Sequence, residues 1–316
     1  MNRSDILNFG VVLVTYNRID KLKIALECYE KQTYLPKIMI VVDNASNDGT
    51  VEFLKDWEKK KAVFQKKVIY LDKNTGGSGG FYTGLKASLK LNLDYVWVSD
   101  DDAFPKASCF EIANKYLLDH KDRDISAICG KVINRGKIDV VHRRRLKKIL
   151  FFLIQTFVSK KEYEKEDFKL NLFTYVGTFI NVKKMKKVGI TKQDYFIYCD
   201  DSEHSFRMSK VGDIYCVPKI EIIHDGPLNN GRDGVNWKLY YGIRNSIDFV
   251  KSDFSHRYYL SYRIYFRLKY YGMITLLWPH KMEGYKLVNK AIKDGKNGKL
   301  GLDSKYRPGW KVNEKK

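Results

Sequence analysis

Three aspartates in a row, Asp100, Asp101 and Asp102, follow directly on the apolar run Tyr95-Val96-Trp97-Val98-Ser99. Carboxylates packed this closely repel one another, and a cation ordinarily compensates them. Their hard oxygens suit Mg²⁺ or Mn²⁺, which bind through few carboxylates together with substrate phosphates. At an extended strand end Asp100 and Asp102 point to one side and can share a metal, while Asp101 points elsewhere. A solvated acidic turn uses the same residues.

A second acidic cluster, Asp200-Asp201-Ser202-Glu203, opens a predicted helix. Carboxylates there gain from the helix dipole, and Asp201 can serve as N-cap. The chemical alternative is a general base that takes the proton of an attacking hydroxyl. His224 stands in His-Asp-Gly after a predicted strand. A neutral imidazole is a good ligand for Mn²⁺, and Asp225 is the candidate for orienting it. Asn74-Thr75-Gly76-Gly77-Ser78-Gly79-Gly80 precedes another predicted helix. Glycines there let backbone approach a ligand closely, or simply make a tight turn. No Gly-Lys-Ser/Thr follows, so the segment is not a Walker loop.

The elements that must position these groups read as alternating strands and helices. Strands are predicted over residues 10–16, 37–44, 67–71 and 94–99, helices over 17–31, 51–61 and from the glycine segment through Leu91. Further strands are expected at 125–130, 175–182, 195–199, 213–217 and 221–223, and helices from Trp237 onward. The alternation implies an α/β fold with a mostly parallel sheet, whose ligands bind outside the carboxyl ends of the strands. Residues 15–18, 43–44, 73–80 and 100–102 all fall at such ends.

Val-Thr-Tyr-Asn-Arg (14–18), Val-Asp-Asn-Ala-Ser-Asn-Asp-Gly-Thr (42–50), Asn-Thr-Gly-Gly-Ser-Gly-Gly-Phe (74–81) and Ser-Asp-Asp-Asp (99–102) together resemble family 2 glycosyltransferases. Asp-Asp-Ser-Glu-His-Ser-Phe-Arg (200–207), His224 and the stretch 294–301 are similar to the galactofuranosyltransferase and rhamnosyltransferase-like branch. The resemblance implies a GT-A fold and an inverting single displacement on a nucleotide-sugar donor, UDP-galactofuranose first. A rhamnosyl or other hexosyl donor is the alternative. It implies that Thr15, Arg18 and Asp43 line the nucleotide pocket, with Asp43 reading the base. Asn74, Gly76 and Gly77 would border the donor. Asp100, Asp102 and His224 would hold Mn²⁺ or Mg²⁺, and Asp101 would lie near the donor sugar or ribose. Asp201 would be the base, with Asp200 or Glu203 positioning the acceptor. The Gln-x-x-Arg-Trp motif of processive members is missing.

Composition bears on partners. The formal net charge is +21, from 58 Lys and Arg against 37 Asp and Glu. Such a balance favours an anionic partner, whether nucleic acid, lipid or phosphorylated substrate. A basic nucleic-acid-binding protein is the reading from another class, but no RNA-binding module is recognisable. Residues 142–148 run from a basic cluster into an apolar block, Ile149 to Phe157, a combination that suits an interfacial segment. The block is roughly half the ~20 residues a membrane span needs. From Lys251 onward, basic residues alternate with tyrosines, a mixture at home at headgroup level or on the outside of a helical bundle. Met1 to Asn8 is polar and reads as no signal peptide. The cysteines number five, without Cys-x-x-Cys spacing, and fit free thiols in a reducing cytoplasm. We therefore expect a catalytic domain over 1–235 and a basic, aromatic helical region over 236–316. The expected location is the inner face of the cell membrane, where the chain would meet a lipid-linked or polymer glycan acceptor.

Overall fold

The computed structural model describes residues 6–226, 234–278 and 280–312. Residues 1–5 of the polar start and 313–316 of the basic end lie outside that description.

The chain opens β1 (Phe9–Thr15), α1 (Ile19–Glu30), β2 (Ile38–Asp43), α2 (Thr50–Lys59), β3 (Gln65–Tyr70), α3 (Gly76–Ser88), β4 (Tyr95–Asp100) and β5 (Ala103–Pro105). It continues through α4 (Cys109–Asp119), β6 (Ile125–Asn134), β7 (Lys137–Ile138), β8 (Arg143–Ile149), β9 (Phe152–Phe157), β10 (Phe168–Leu170), β11 (Leu172–Phe173) and β12 (Thr178–Asn181). The last elements are α5 (Val182–Val188), α6 (Asp200–Met208), β13 (Asp213–His224), α7 (Trp237–Asp253), α8 (His256–Leu277) and α9 (Lys281–Lys296).

The main sheet has the order β10-β13-β6-β12-β4-β1-β2-β3. The pairs β4–β1, β1–β2, β2–β3 and β6–β13 are parallel, whereas β12 is antiparallel to both β4 and β6. The sheet is covered on both faces at its centre, so β1, β2 and β4 are near-continuous apolar runs, whereas the edge strand β3 is more polar and exposed. The period of two still decides the face. Val11 and Leu13 pack with Leu22 of α1, Leu54 of α2 and Phe110 of α4. Val12 and Val14 pack with Phe81 and Leu85 of α3 and Met185 of α5. Helix α3 lies close on β1, because a methyl group at Gly84 would stand 2.4 Å from Val12.

A third cluster joins α7, α8 and α9 through Tyr240, Tyr241 and Ile247, then Tyr262 and Ile274, then Leu287 and Ile292. No helix among the described residues is long and apolar enough to cross a membrane.

Several segments differ from the sequence expectation for identifiable reasons. Residues 195–199 are not a strand. Phe196, Tyr198 and Cys199 take φ of 66°, 68° and 67°, the left-handed region that non-glycine residues enter only when held there. The Asn245 side-chain amide holds them, donating to the carbonyls of Tyr195, Ile197 and Tyr198 at 2.9 Å each. The strands expected at 213–217 and 221–223 are one strand, β13, with an irregular register between Cys216 and Glu221. Pro218 sits in that interval and has no N–H for the ladder. Thr50 is the first residue of α2 rather than its cap, and Asp48 accepts its hydroxyl at 2.6 Å. Within the basic run, Arg143 is completely buried, donating to the carbonyls of Gly130 at 2.9 Å and Val176 at 2.7 Å.

Candidate active site

At the carboxyl ends of β1 and β4 lies a cavity of about 550 Å³. Thr15, Arg18, Asn74, Gly76, Gly77, Asp100, Asp101, Asp200, Asp201 and His224 all line it. These residues are far apart in sequence, and the parallel topology with its loops brings them to one place.

The β4 aspartates sit in a network set up by β1 and the turn after it. The Thr15 hydroxyl donates to Asp101 Oδ2 at 2.7 Å. Arg18 Nη1 donates to Asp101 Oδ1 at 3.1 Å and to Asp102 Oδ2 at 2.7 Å. The other oxygen of Asp102 lies 3.5 Å from His224 Nε2. Burial pushes the Asp100 carboxyl well up, reinforced by Asp102 and Asp101. Burial also raises Asp101, against the pull of Arg18. Asp102 goes the other way: burial opposes ionisation, but His224 and Arg18 outweigh it and hold it below the usual carboxylate range. Three crowded acids with one guanidinium between them remain short of positive charge, which is the condition for a divalent cation.

The histidine side of the site is richer than the sequence indicated. His224 meets His142 edge to face, ring centroids 5.0 Å apart. His224 Nδ1 and His142 Nε2 are buried without a hydrogen-bond partner. Asp139, His142 and His224 offer ligand atoms within 4.8 Å of one another. Burial keeps His142 neutral, its pKa lowered to about 4. Orphaned buried nitrogens are costly unless something binds them, so these side chains fit a divalent metal at this edge. Asp225 does not orient His224. It pairs with Lys21 at 3.1 Å, and only its backbone N–H reaches inward, to the Asp102 carbonyl at 2.9 Å.

The glycine segment forms one wall of the cavity. The Asn44 amide donates to the Gly76 carbonyl at 2.9 Å, and Asn44 Oδ1 accepts from Thr75 N–H at 2.9 Å. Gly76 has φ of +73°, and a Cβ there would stand 1.9 Å from the Phe196 carbonyl oxygen. Asn44, not Asp43, lines the cavity. Asp43 is buried at the end of β2 and accepts the Ser46 N–H at 3.2 Å, shaping the turn after the strand.

The second acidic cluster faces the first across the cavity. Asp200 and Asp201 open α6, behind Cys199 in the left-handed conformation, so Asp201 does not act as N-cap. Burial and the adjacent Asp201 push Asp200 up to about 8. Burial also raises Asp201, against Arg144. Arg144 Nη2 donates to Ser202 Oγ at 2.8 Å. Glu203 does not reach the cavity: it is buried against Arg207, with hydrogen bonds of 2.7 and 2.8 Å. Arg144 and His142 were hidden in a basic run that reads as surface, and only the β8–β11 pairing reveals their direction.

Beyond Asp201 a second cavity of about 660 Å³ continues toward the helices, lined by Arg144, Tyr198, Lys238, Phe266, Lys269 and Trp278 among others. The two cavities share His142, Thr174, Tyr198, Asp201 and Lys238.

Comparison with known proteins agrees with this architecture. In fold the chain is similar to GalNAc-T7 crystallised with UDP, GalNAc and Mn²⁺, with a TM-score of 0.60 and 16% identity over 92% of this chain and 56% of that one. It is similar also to Staphylococcus aureus TarS 1-349 in complex with UDP-GlcNAc, with a TM-score of 0.59 and 16% identity over 92% and 80%. These are GT-A glycosyltransferases, and the sheet described above is that fold. In sequence, 113 residues are 34% identical to galactofuranosyltransferase GlfT1 of Mycobacterium tuberculosis, covering 34% of this chain and 36% of that protein. The match thus spans only about a third of the relative's length. The family model Glycosyl transferase family 2 matches residues 10–188, more than half of the chain, and the protein belongs to that family.

Proposed function

We propose that this glycosyltransferase is an inverting, metal-dependent enzyme that moves galactofuranose from UDP-galactofuranose to a hydroxyl of a lipid-linked or polymer glycan in cell-surface polysaccharide synthesis. One observation carries the reading: Asp100 and Asp101 of the first acidic cluster and the Asp200–Asp201 pair line one cavity with His224 and a glycine wall, while Asp102 sits just behind it between Arg18 and His224. The partial identity to a galactofuranosyltransferase favours that sugar over rhamnose or another hexose.

The chemistry follows from the residues. Asp100, Asp102 and His224 would hold Mn²⁺ or Mg²⁺, with His142 adjoining. Bound there, the metal would neutralise the diphosphate as it leaves. Thr15 and Arg18 orient the aspartates, while Asn44 fixes the glycine backbone against the nucleotide. Asp201 accepts the proton of the acceptor hydroxyl as it attacks the anomeric carbon from the opposite side. Asp200 holds a proton near neutrality, so the adjacent pair carries a single negative charge and the base need not face a second anion. Burial raises Asp201, and Arg144 works against it in favour of the charged form. The second cavity gives the acceptor its approach.

An acceptor carried on lipid places the enzyme at the inner face of the cell membrane, as a peripheral protein. The deciding experiment is a donor-hydrolysis screen with UDP-galactofuranose, UDP-hexopyranoses and dTDP-rhamnose. Metal-dependent release of UDP from UDP-galactofuranose above the others is expected. Preference for dTDP-rhamnose would reassign the donor, and hydrolysis of none would sink the reading.

A further inference from the structure

The hairpin of β8 and β9 ends in a turn with unusual chemistry. Ile149 pairs with Phe152, so Leu150 and Phe151 alone make the connection. Two-residue hairpin turns select glycine, asparagine or aspartate, because a left-handed backbone is costly for other side chains. Here Leu150 takes φ of 51°. The turn therefore gives up local stability to carry two large apolar side chains.

Those side chains are not buried. Leu150 is 80% exposed and Phe151 53%, and Ile149 and Phe152 are about half exposed. The hairpin is braced from behind, since Ser261 of α8 donates to the Phe151 carbonyl and Lys148 Nζ lies 5.3 Å from the Phe254 ring. Beside it, α8 exposes Ile264 and Leu268. The two elements that carry this surface are free of acids: residues 147–157 and 256–277 contain no Asp or Glu, while Lys147, Lys148, Arg267 and Lys269 are exposed. Apolar tips ringed by cations complement one kind of surface, an anionic bilayer, in which apolar groups enter below the headgroups and cations meet the phosphates. The same elements wall the second cavity, through Phe157 of β9 and Phe266 and Tyr270 of α8. A bilayer held there would present a lipid-borne hydroxyl on the Asp201 side.

We infer that the Leu150–Phe151 turn inserts into an anionic lipid bilayer, with the adjoining face of α8 lying on the headgroups. This deepens, and rests on, the reading that the acceptor is lipid-linked.

The test uses the full chain and vesicles of phosphatidylcholine with or without phosphatidylglycerol. The Leu150→Gly/Phe151→Ser double variant supplies residues the turn accepts, so it should fold with equal or higher Tm. Its binding to phosphatidylglycerol vesicles should fall at least ~10-fold. Lys147→Glu/Arg267→Glu should remove the preference for anionic over neutral vesicles. Phe151→Trp should show a blue-shifted emission on binding, quenched by brominated lipid relative to the parent's own tryptophans. Unchanged binding of the glycine–serine variant overturns the inference, and so does a bound Phe151→Trp variant whose added emission brominated lipid leaves unquenched. A parent dimer that the glycine–serine variant splits without any effect on vesicles overturns it too, because the tip would then be covered by a second copy. Donor hydrolysis without vesicles should be the same in parent and variants. Its absence from the parent would sink the sugar-transfer reading while leaving the vesicle result standing.

Discussion

Arg207 grips the carboxylate of Glu203 with two hydrogen bonds, 2.7 Å from Nε to Oε1 and 2.8 Å from Nη2 to Oε2. Both residues lie on α6, one turn apart, and Arg207 also donates to the Ile190 carbonyl at 2.9 Å. Of the three acids that open this helix, one is therefore engaged in holding it to the preceding loop, and two remain at the cavity.

The choice of base follows. Asp201→Asn keeps the shape and removes the proton acceptor, so kcat should fall by ~10²–10⁴ with donor binding intact by calorimetry. Glu203→Gln should instead lower stability by about 1–3 kcal/mol, with turnover of the folded fraction retained. Normal turnover by Asp201→Asn alongside a stable but inactive Glu203→Gln would move the base to Glu203.

Metal removal should abolish transfer, and Mn²⁺ or Mg²⁺ should restore it. Asp102→Ala should lose the metal-dependent part of UDP binding measured by calorimetry, since Asp102 joins Arg18 to His224. Full turnover in excess chelator would remove the metal from the mechanism.

The glycine wall separates a fold role from a binding role. Gly76→Ala drives a methyl group into the Phe196 carbonyl in a left-handed backbone, and should cost at least ~2 kcal/mol. A Cβ at Gly77 meets nothing within 4 Å, although that residue lines the cavity. Gly77→Ala should therefore keep its Tm and raise the donor KM several-fold. Equal Tm values for the two variants would contradict this division.

His204 supplies a pH test away from the metal edge. It is fully buried, Nδ1 lies 2.6 Å from the Tyr175 hydroxyl, and burial lowers its pKa to about 3. An unfolded histidine titrates near ~6.5, so the unfolded chain takes up a proton between those values and the folded one does not. The stabilisation is complete above about pH 6.5 and is lost as pH falls from there toward about 3. At about pH 5 the loss from this group should be ~2 kcal/mol relative to about pH 8. His204→Gln should flatten that part of the denaturation profile. An unchanged slope would show that other groups cause it.

How much of this was legible in the sequence depends on the kind of signal. Strands β1, β2 and β4 are unbroken apolar runs ending in polar residues, so both the sheet and the Asp100–Asp102 position could be read directly. The direction of Arg143 could not. Its guanidinium is satisfied by the backbone carbonyls of Gly130, Val176 and Gly177, and no local pattern marks a carbonyl left free by distant strand ends. His142 shared its fate, hidden in the same basic run. Residues 195–199 have strand-like composition, but the side chain of Asn245 overrides it from a helix distant in sequence. Asp225 looked like a partner for His224 because it is adjacent in sequence. In the fold its side chain turns outward to Lys21.

The grip of α7 on the 195–198 loop has a bearing on how such enzymes can be recombined. Asn245 holds three carbonyls of the 195–198 segment, and Arg244 donates to the Tyr195 carbonyl at 3.0 Å and the Gly301 carbonyl at 2.6 Å. A chimaera that takes its C-terminal helices from another family member also replaces the clamp that shapes the segment leading to Asp200 and Asp201. Only donors carrying an amide and a guanidinium at these two positions would transplant without collapse of that loop. The crossover point for such exchange therefore lies after Asn245, inside a helix, and not at the junction before it.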